Sequence, residues 1–298
     1  HELKMNRVLL CDGHNLAFRA FYGIPELSRS DGFPTNMIHG WIKSFWRLED
    51  EFKPDEVCIF FDKGGSPRRE ELLPQYKSNR GPPPNGFLQQ LEWIKKIISS
   101  MGYFWHEDSG FEADDLIASA VRLKAELTEE ILIVSADKDL AQLVRPGVKL
   151  LVPPPTANSK LGWKILDEDG VREKFGVPPS RVLDYLCIIG DQSDNIPGLY
   201  GVGPKTAAKW LMEYGDIERL IENAGRLTPR RFCSVVYEKK AMLVLNRELI
   251  KLEDNLEFEI IPRQKVDLPK LDQILLELEM INSLKEQNAD MLEYIPEC

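Results

Sequence analysis

Short apolar runs alternate with amphipathic helical patterns through the first half of the chain. The strand-like runs are residues 7–11, 55–61, 103–105, 130–135 and 148–152. The helical patterns cover 36–52 and 87–101, and a third begins at 112. Apolar runs of this length, separated by helices, indicate buried strands joined by crossover connections. We therefore predict an α/β fold with a central, mostly parallel sheet flanked by helices.

The second half of the chain has a mainly helical pattern. Helices are predicted at 167–175, 180–189, 228–236, 238–246 and 271–279, with a short extended piece at 258–261. Between the two halves, a proline run and the polar residues that follow it, up to 160, indicate an exposed loop or linker. The last twenty residues are polar and helix-forming, as expected of a docking segment or a frayed tail.

Acidic residues recur where the predicted strands and helices begin or end. They are Asp12, Asp62, Glu112, Asp114, Asp115, Asp137, Asp139, Asp191 and Asp194. Asp12 and Asp62 each end a strand, and ligands of α/β sheets bind beyond the carboxyl ends of the strands. A local alternative remains open, because acids also cap helix N-termini and Asp is common in turns before Gly.

So many carboxylates in one place would repel one another unless cations compensated them. Ligand sets made only of oxygen suit hard cations, so the acids predict Mg²⁺, with Mn²⁺ as a substitute. Two such ions roughly 4 Å apart would orient a water for in-line attack on a phosphodiester and stabilise the leaving oxygen.

The segment 63–87 is basic and rich in glycine and proline. Lys77 and Arg80 are spaced to share one helical face, where they could hold phosphates, and Tyr76 could stack on a base. The alternative is an ordinary solvated loop. A cationic segment near an acidic site would neutralise charge that develops when a phosphodiester is cleaved.

A glycine turn at Gly201 and Gly203 opens a helix that carries Lys205, Thr206 and Lys209. Glycines let backbone N–H groups approach a phosphate at a helix N-terminus, and the two lysines, four residues apart, add positive charge to one face. This pattern favours a helix-hairpin-helix that binds a nucleic-acid backbone. A glycine hairpin between two core helices is the alternative.

Composition narrows the protein class. The chain has 298 residues, 43% of them hydrophobic, which is enough for one large domain or two smaller ones. Its net charge of −10 argues against nucleic-acid binding unless the charge is unevenly distributed. Five cysteines without a Cys-x-x-Cys pair indicate a reducing compartment and no structural zinc. We see no signal peptide and no membrane span, and expect a cytoplasmic protein.

Five motifs of one known protein family occur together in this chain, in the order that they have in that family. They are Asp12-Gly13-x-Asn15-Leu16, Tyr76-Lys77-x-Asn79-Arg80, Glu112-Ala113-Asp114-Asp115, Asp137-Lys138-Asp139, and the run from Gly190 to Ala207. Over residues 6 to 250 the chain resembles the 5′-nuclease (flap endonuclease) family, which includes the N-terminal domain of bacterial DNA polymerase I and stand-alone bacteriophage relatives. Ser135-Ala136 departs from the usual Thr-Gly, with little expected effect. Residues 281–284 resemble in part the sequence that ends this domain in the polymerase-type members of the family.

The resemblance implies a PIN-like fold in three parts. These are an α/β nuclease core at 6–180 with a helical arch at about 65–95, a helix-hairpin-helix region at 181–250, and a helical extension at 251–298. It implies a hydrolase with 5′-flap endonuclease and 5′-3′ exonuclease activity in DNA replication or repair. The implied substrates are flaps, nicked or gapped duplexes and RNA primers in hybrids.

The resemblance also implies a role for each matching residue. The acids expected around a first metal are Asp12, Asp62, Glu112, Asp114, Asp115 and Asp137, and those expected at a second are Asp139, Asp191 and Asp194. Arg19, Lys77 and Arg80 are expected at the reacting phosphate. The hairpin near 198–209 is expected to bind duplex DNA and to hold a K⁺ through backbone carbonyls.

Two other functions remain open on the sequence alone. One is a DNA-structure-binding module that has lost catalysis, and the other is a nuclease that acts mainly on RNA in hybrids. The expected partners are DNA and a DNA polymerase, with the protein itself a monomer in a bacterial or phage-infected cell.

Overall fold

The computed structural model describes residues 4–280, and the predictions made for 281–298 lie outside this range. The strands are β1 (Met5–Asp12), β2 (Glu56–Asp62), β3 (Phe104–Asp108), β4 (Thr128–Val134), β5 (Val148–Val152) and β6 (Lys164–Leu166). The helices before β6 are α1 (Gly13–Gly23), α2 (Asn36–Phe52), α3 (Pro67–Leu72), α4 (Phe87–Ser100) and α5 (Ala113–Lys124). Those after it are α6 (Glu168–Phe175), α7 (Val182–Ile189), α8 (Pro204–Tyr214), α9 (Ile217–Glu222), α10 (Cys233–Glu238), α11 (Lys240–Ile250) and α12 (Leu268–Glu277).

The sheet has the strand order β3-β2-β1-β4-β5-β6. The first five strands are parallel, and β6 pairs antiparallel with β5 at the edge. The predicted α/β class and the mostly parallel sheet are confirmed. The sequence prediction missed β6, because three residues with two exposed side chains give no apolar run.

Alternate residues of the central strands enter two different cores. Leu9 and Cys11 face a core formed with α1, α2, α4 and α12. Val8 and Leu10 face the opposite core, which continues from α5 into the helices α7 to α11. Because side chains alternate across a strand, a sheet covered by helices on both faces shows this near-continuous apolar sequence.

The strand order reverses direction at β1. The chain adds β2 and β3 on one side of β1 and then returns to place β4 on the other side. Such a reversal separates the two flanking connections and leaves a crevice at the carboxyl ends of the strands. Asp12 at the end of β1 and the residues after β4 therefore lie side by side at this crevice.

The predicted arch at about 65–95 is not a continuous helical element. Its first part, α3, packs on the end of α11, where the Arg69 guanidinium donates to the carbonyl of Leu249 at 2.7 Å. Its last part, α4, buries Phe87, Leu91 and Ile94 in a core. Prolines between the two helices prevent a longer helix, so only the turns from 73 to 86 span the crevice.

The prediction of a helical extension from 251 onward is wrong for 251–267. These residues have no regular secondary structure and run back across the α/β core as a strap, including the piece at 258–261. The Glu253 N–H donates to Asp115, and the Gln264 N–H donates to the carbonyl of Gly102. Helix α12 then packs against α4. The tertiary contacts that hold this strap are irregularly spaced along the chain, so the apolar periodicity of the sequence could not reveal it.

Within residues 4–280, no helix has both the length and the hydropathy needed to cross a membrane. Cys11, Cys58 and Cys187 are buried as free thiols and Cys233 is partly buried, as is common for cysteines that act as small core residues.

Candidate functional site

The ends of β1 and β4 are joined through one buried hydroxyl. The Ser135 hydroxyl donates to Asp12 Oδ2 at 2.9 Å and accepts from the Asp137 N–H at 3.0 Å. Asp12 Oδ1 also accepts from the Asn15 N–H at 3.4 Å, capping α1. The local capping interpretation is thus correct for one oxygen of Asp12, while the other oxygen faces the next strand.

A first cluster of carboxylates forms where β1, α5 and β4 meet. Asp12, Asp114 and Asp137 each offer one oxygen, and these atoms lie within 4.8 Å of one another. Burial, followed by repulsion from Asp62 and Asp137, raises the pKa of Asp12 to about 7. Burial and the neighbouring Asp137 and Asp12 likewise raise the pKa of Asp114. The negative charge of this cluster is not compensated by the protein alone.

A second cluster joins the turn after β4 to the loop after α7. Asp139, Asp191 and Asp194 place one oxygen each within 4.8 Å of one another. Burial raises the pKa of Asp139, and burial together with Asp191 raises that of Asp194 to about 6. Asp139 Oδ1 is buried and has no hydrogen-bond partner. An unpaired buried oxygen among acids suits a cation ligand better than a purely structural residue.

Glu112 and Asp115 are engaged in a different way from the other acids. The Arg69 guanidinium donates to both oxygens of Asp115, at 2.7 and 2.8 Å, and to Glu112 at 2.9 Å. Asp115 also accepts from the backbone N–H groups of Glu112 and Glu253. Both Asp115 oxygens are thereby occupied, so the structure gives it a supporting role in place of direct metal ligation. Glu112 lies at the edge of the site.

Asp62 lies at the end of β2 and lines the crevice. Its Oδ1 accepts from the Ala113 N–H at 2.8 Å, which ties β2 to the first turn of α5. Its own N–H donates to His14 Nδ1 at 3.0 Å, and burial lowers the pKa of His14. His14 Nδ1 lies 3.7 Å from Asp62 Oδ2. A neutral imidazole that accepts a hydrogen bond at Nδ1 makes no ion pair with this carboxylate.

The cations predicted near the acids are in place. The Lys77 ammonium pairs with Glu112 and lies 4.0 Å from Asp194, and the Arg80 guanidinium donates to Asp194 at 2.5 Å. Burial alone would lower the pKa of Lys77, but Glu112 and Asp194 outweigh it and raise it. Lys77 has a φ of 55°, a left-handed conformation rare outside glycine, so its position in the turn is strongly constrained.

Tyr76 does not have the exposed position predicted for a base-stacking residue. Its side chain is buried, and its hydroxyl donates to Glu112 at 2.7 Å. The ring therefore anchors the 73–86 turns to the first turn of α5, and the prediction of an exposed stacking ring is wrong.

A cavity of about 590 Å³ opens over the first cluster. Its walls include Asp12, Asp114 and Asp137 on one side and Lys77 and Arg80 on the other. Acids that could hold cations and bases that could hold a phosphate thus face the same open space.

The glycine hairpin leads into α8 as predicted. Gly201 has a φ of 80°, and Gly203 precedes a helix whose first residue is a proline, a normal helix start. Lys205 is exposed, Thr206 is partly buried, and the Lys209 ammonium donates to the Thr228 hydroxyl at 3.2 Å. The hairpin lies away from the walls of the acidic cavity.

Arg19 is not among the residues that line the acidic cavity. It lies further along α1, in a separate cavity between α1 and α2. The structure therefore does not bring Arg19 together with Lys77 and Arg80, as the expected role at the reacting phosphate requires.

Sequence reasoning assigned no role to several residues that complete the site. Asn15 Oδ1 accepts from the Ala136 N–H at 3.0 Å and joins α1 to the turn after β4. The Lys138 ammonium lies 3.9 Å from Asp191 Oδ1. His14 accepts a hydrogen bond from the Asp62 N–H, and the Ser135 hydroxyl donates one to Asp12. The three-residue spacing of Asp12 and Asn15 at a helix start was a usable signal. The partners of Ser135 and Arg69 depend on the tertiary fold.

The two clusters offer only oxygen ligands, at least one of them unpaired and several with raised pKa values. Such a set suits hard divalent cations. Asp12, Asp114 and Asp137 could hold one ion, and Asp139, Asp191 and Asp194 another.

Comparisons with known proteins agree with this geometry. The chain matches the 5′-3′ exonuclease family models, with the N-terminal resolvase-like domain at residues 7–176 and the C-terminal SAM fold at 177–274. It is 35% identical over 286 residues to a 5′-3′ exonuclease of Aquifex aeolicus, covering 95% of both chains. It is also 35% identical over 282 residues to the thermostable DNA polymerase I of Thermus aquaticus, of which it spans 33%.

Solved structures show the same fold at low sequence identity. A T5 5′-exonuclease with bound zinc ions superposes with a TM-score of 0.69 at 20% identity, over 98% of this chain and 100% of the other. The catalytic core of Rad2 in complex with DNA superposes with a TM-score of 0.66 at 13% identity, over 99% and 93%. With the family models covering nearly the whole described chain, this protein belongs to the 5′-3′ exonuclease family and is a phosphodiester-hydrolysing nuclease.

Proposed function

We propose that this protein is a metal-dependent, structure-specific 5′-nuclease that hydrolyses DNA near 5′ ends, as a flap endonuclease and a 5′-3′ exonuclease. The observation that carries the proposal is that the first carboxylate cluster faces Lys77 and Arg80 across one cavity, while the same two cations contact the second cluster through Asp194. An acidic site alone would repel DNA, and a basic site alone would bind it without cleaving it.

Mg²⁺ is the proposed cofactor, with two ions in use and Mn²⁺ as a substitute. When bound, such ions supply an activated water and stabilise negative charge on the leaving oxygen. The chain contributes the ligands, and it holds them in position through Ser135 on Asp12 and the Ala113 N–H on Asp62.

Lys77 and Arg80 would bind the phosphate that is cut. In the free protein they pair with Glu112 and Asp194, so an incoming phosphate exchanges one anionic partner for another. A guanidinium and an ammonium placed there stabilise charge that grows on the phosphate oxygens during hydrolysis. The turns that carry them are anchored by Tyr76 and by the Lys77 N–H, which donates to the carbonyl of Asp194 at 2.9 Å.

The hairpin before α8 is the proposed contact for duplex DNA. The N–H groups near Gly201 and Gly203, with exposed Lys205, form a cationic helix start that suits a backbone phosphate. A K⁺ held by backbone carbonyls of the hairpin would strengthen this contact.

The proposed substrates are flapped, nicked or gapped duplexes formed during replication or repair. The chain spans about a third of the length of its DNA polymerase I relatives, which motivates a proposed link to a polymerase. The protein is proposed to act as a monomer.

The test is cleavage of a 5′-labelled flap duplex in Mg²⁺, with an EDTA control and a blunt duplex. We expect metal-dependent cutting near the flap junction and slower cutting of the blunt duplex. Tight binding without cutting would instead support a silent DNA-binding module. Cutting confined to an RNA-containing chimeric flap would support a nuclease of hybrids.

A further inference from the structure

The cavity that contains Arg19 is strongly basic. It has a volume of about 200 Å³ and lies between α1, α2 and the 3₁₀ turn at Thr156–Leu161. Its walls include Arg19 from α1 and Lys43 and Arg47 from α2, together with hydroxyl groups of Ser44 and Thr156. No aspartate or glutamate of the described chain lines it.

These three cations lack protein partners. Among residues 4–280, none of Arg19, Lys43 and Arg47 has an ion pair or a side-chain hydrogen bond. Burial lowers the pKa of Arg19, and no nearby carboxylate opposes the effect. In a chain with a net charge of −10, three neighbouring cations with no acid to balance their charge indicate that an anion from outside the protein binds between them.

The geometry favours an anion with several acceptor oxygens. Arg19 and Lys43 are half-buried and Arg47 is exposed, and all three line the same cavity. Guanidinium and ammonium groups converging with hydroxyls provide the donors that phosphate oxygens accept. An anion here would also remove the repulsion among the cations.

The position relative to the acids indicates where this anion comes from. Arg19 follows Asp12 by seven residues on α1, which places it roughly 10 Å further along the helix axis at 1.5 Å per residue. Because the phosphates of a DNA strand follow one another at short intervals, a pocket at this distance lies within a few nucleotides of the acids.

We propose that Arg19, Lys43 and Arg47 bind one backbone phosphate of the DNA substrate, a few nucleotides from the bond that is cut. This inference rests on the proposed nuclease function and moves Arg19 from the reacting phosphate to a remote one. The contact would position the strand and so contribute to the choice of cleavage site, without taking part in the chemistry.

The test compares Lys43→Ala/Arg47→Ala with a charge-matched control, Lys4→Ala/Arg145→Ala. Lys4 precedes β1 and Arg145 precedes β5, so the control residues lie at the amino edge of the sheet, opposite the acids. Flap-duplex affinity is measured in Ca²⁺ over a range of KCl concentrations. We expect the pocket variant to bind about tenfold more weakly and its salt slope to fall by about one unit, with the control close to wild type. Equal slopes for the two variants would overturn the proposal.

Two further arms locate the phosphate. Shortening the DNA one nucleotide at a time on each side of the junction should abolish the difference between the variants once only a few nucleotides remain on one side. A difference that survives every truncation would contradict the assigned position. If inorganic phosphate binds the wild-type pocket in calorimetry while the DNA salt slopes stay equal, the pocket serves free phosphate and the proposal fails.

Wild-type cleavage in Mg²⁺, measured on the same preparation, separates the two proposals. Absence of cleavage would refute the proposed function. Normal cleavage together with identical variant slopes would refute only the remote phosphate contact.

Discussion

At the residue scale, Asp137 tests whether the carboxylate clusters act through their charge. Asp137→Asn keeps an oxygen that can accept from the Asp139 N–H, as Asp137 does at 2.9 Å, but removes one negative charge from the first cluster. We expect cleavage to fall by about 10²–10³-fold with duplex binding retained, because charge stabilisation is lost and the positioning contacts remain.

Asp272→Asn is the matched control for this experiment, because Asp272 is exposed on α12. It should cleave like the wild type. Full activity of Asp137→Asn in Mg²⁺ would remove Asp137 from the site.

Arg69 tests the supporting role assigned to Asp115. Arg69→Met leaves Asp115 buried without its charged partner and removes one of the partners of Glu112, which should cost about 3–5 kcal/mol of unfolding free energy in urea denaturation. Arg68→Met, which removes a partly exposed pair with Glu253, should cost no more than about 1 kcal/mol.

A double variant, Arg69→Met/Asp115→Leu, should recover part of that loss because the uncompensated charge is gone. Equal losses for the Arg68 and Arg69 single variants would show that the buried pair has no special weight.

The nine acids could be identified from sequence, but their separate roles could not. Asp114 and Asp115 are neighbours at a helix start, and only one of them faces the carboxylate cluster. The distinction depends on Arg69, which lies 46 residues away from Asp115 in the chain. Tyr76 was misjudged for the same reason, since its hydroxyl partner Glu112 is 36 residues distant.

At the element scale, two glycines in the α7–α8 connection make contrasting predictions. A Cβ on Gly198 would lie 2.3 Å from the carbonyl of Ile189, whereas one on Gly203 meets nothing within 4 Å. Gly198→Ala should therefore destabilise the fold by more than about 2 kcal/mol and disturb the loop that carries Asp191 and Asp194. Gly203→Ala should stay within about 0.5 kcal/mol in the same denaturation measurement, and equal effects would contradict the packing.

Lys205 tests the hairpin as an element that binds the backbone. Lys205→Ala should weaken duplex binding for all sequences alike and lower the salt slope by about one unit, because one phosphate contact is lost. Lys4→Ala, at the opposite edge of the sheet, is the control. An unchanged slope for Lys205→Ala would remove the hairpin from the duplex contact.

Elements with a regular apolar pattern were predictable from sequence, and connecting segments were not. Helix α2 and strand β5 begin and end at the predicted residues, since each has a continuous buried pattern. The segment expected to form an arch holds two helices, α3 and α4, which dock separately on the body of the protein, and the arch itself stays a prediction. The strap at 251–267 is fixed by isolated hydrogen bonds and by the packing of Leu252 and Phe258 on the core, and such contacts leave no periodic pattern in a sequence.

At the scale of the whole molecule, the acidic site should couple stability to pH and to metal. The pKa values of Asp12 and Asp194, about 7 and about 6, exceed the ordinary value, so the folded chain binds these protons more tightly than the unfolded chain. Their contribution to stability is therefore lost as the pH rises from about 4 to about 7.

A divalent cation should reverse this loss. At a hundred times its dissociation constant, Mg²⁺ would add about 2.7 kcal/mol, or about 5–10 °C in Tm, at pH 8. The increase should be smaller at pH 5, which lies below the pKa values of Asp12 and Asp194, because these two carboxyl groups are then mostly protonated. Thermal unfolding with and without Mg²⁺ at matched ionic strength measures the increase in Tm at pH 8 and at pH 5. Equal increases at the two pH values would contradict metal binding by these carboxylates.

The most direct test of the central claim is a crystal structure of the protein grown with Mn²⁺, with the ions located by anomalous scattering. We expect one anomalous peak for Mn²⁺ among Asp12, Asp114 and Asp137 and another among Asp139, Asp191 and Asp194. Absence of ions from both clusters, with Mn²⁺ bound elsewhere on the protein, would contradict the assignment of these carboxylates to a metal-dependent nuclease site.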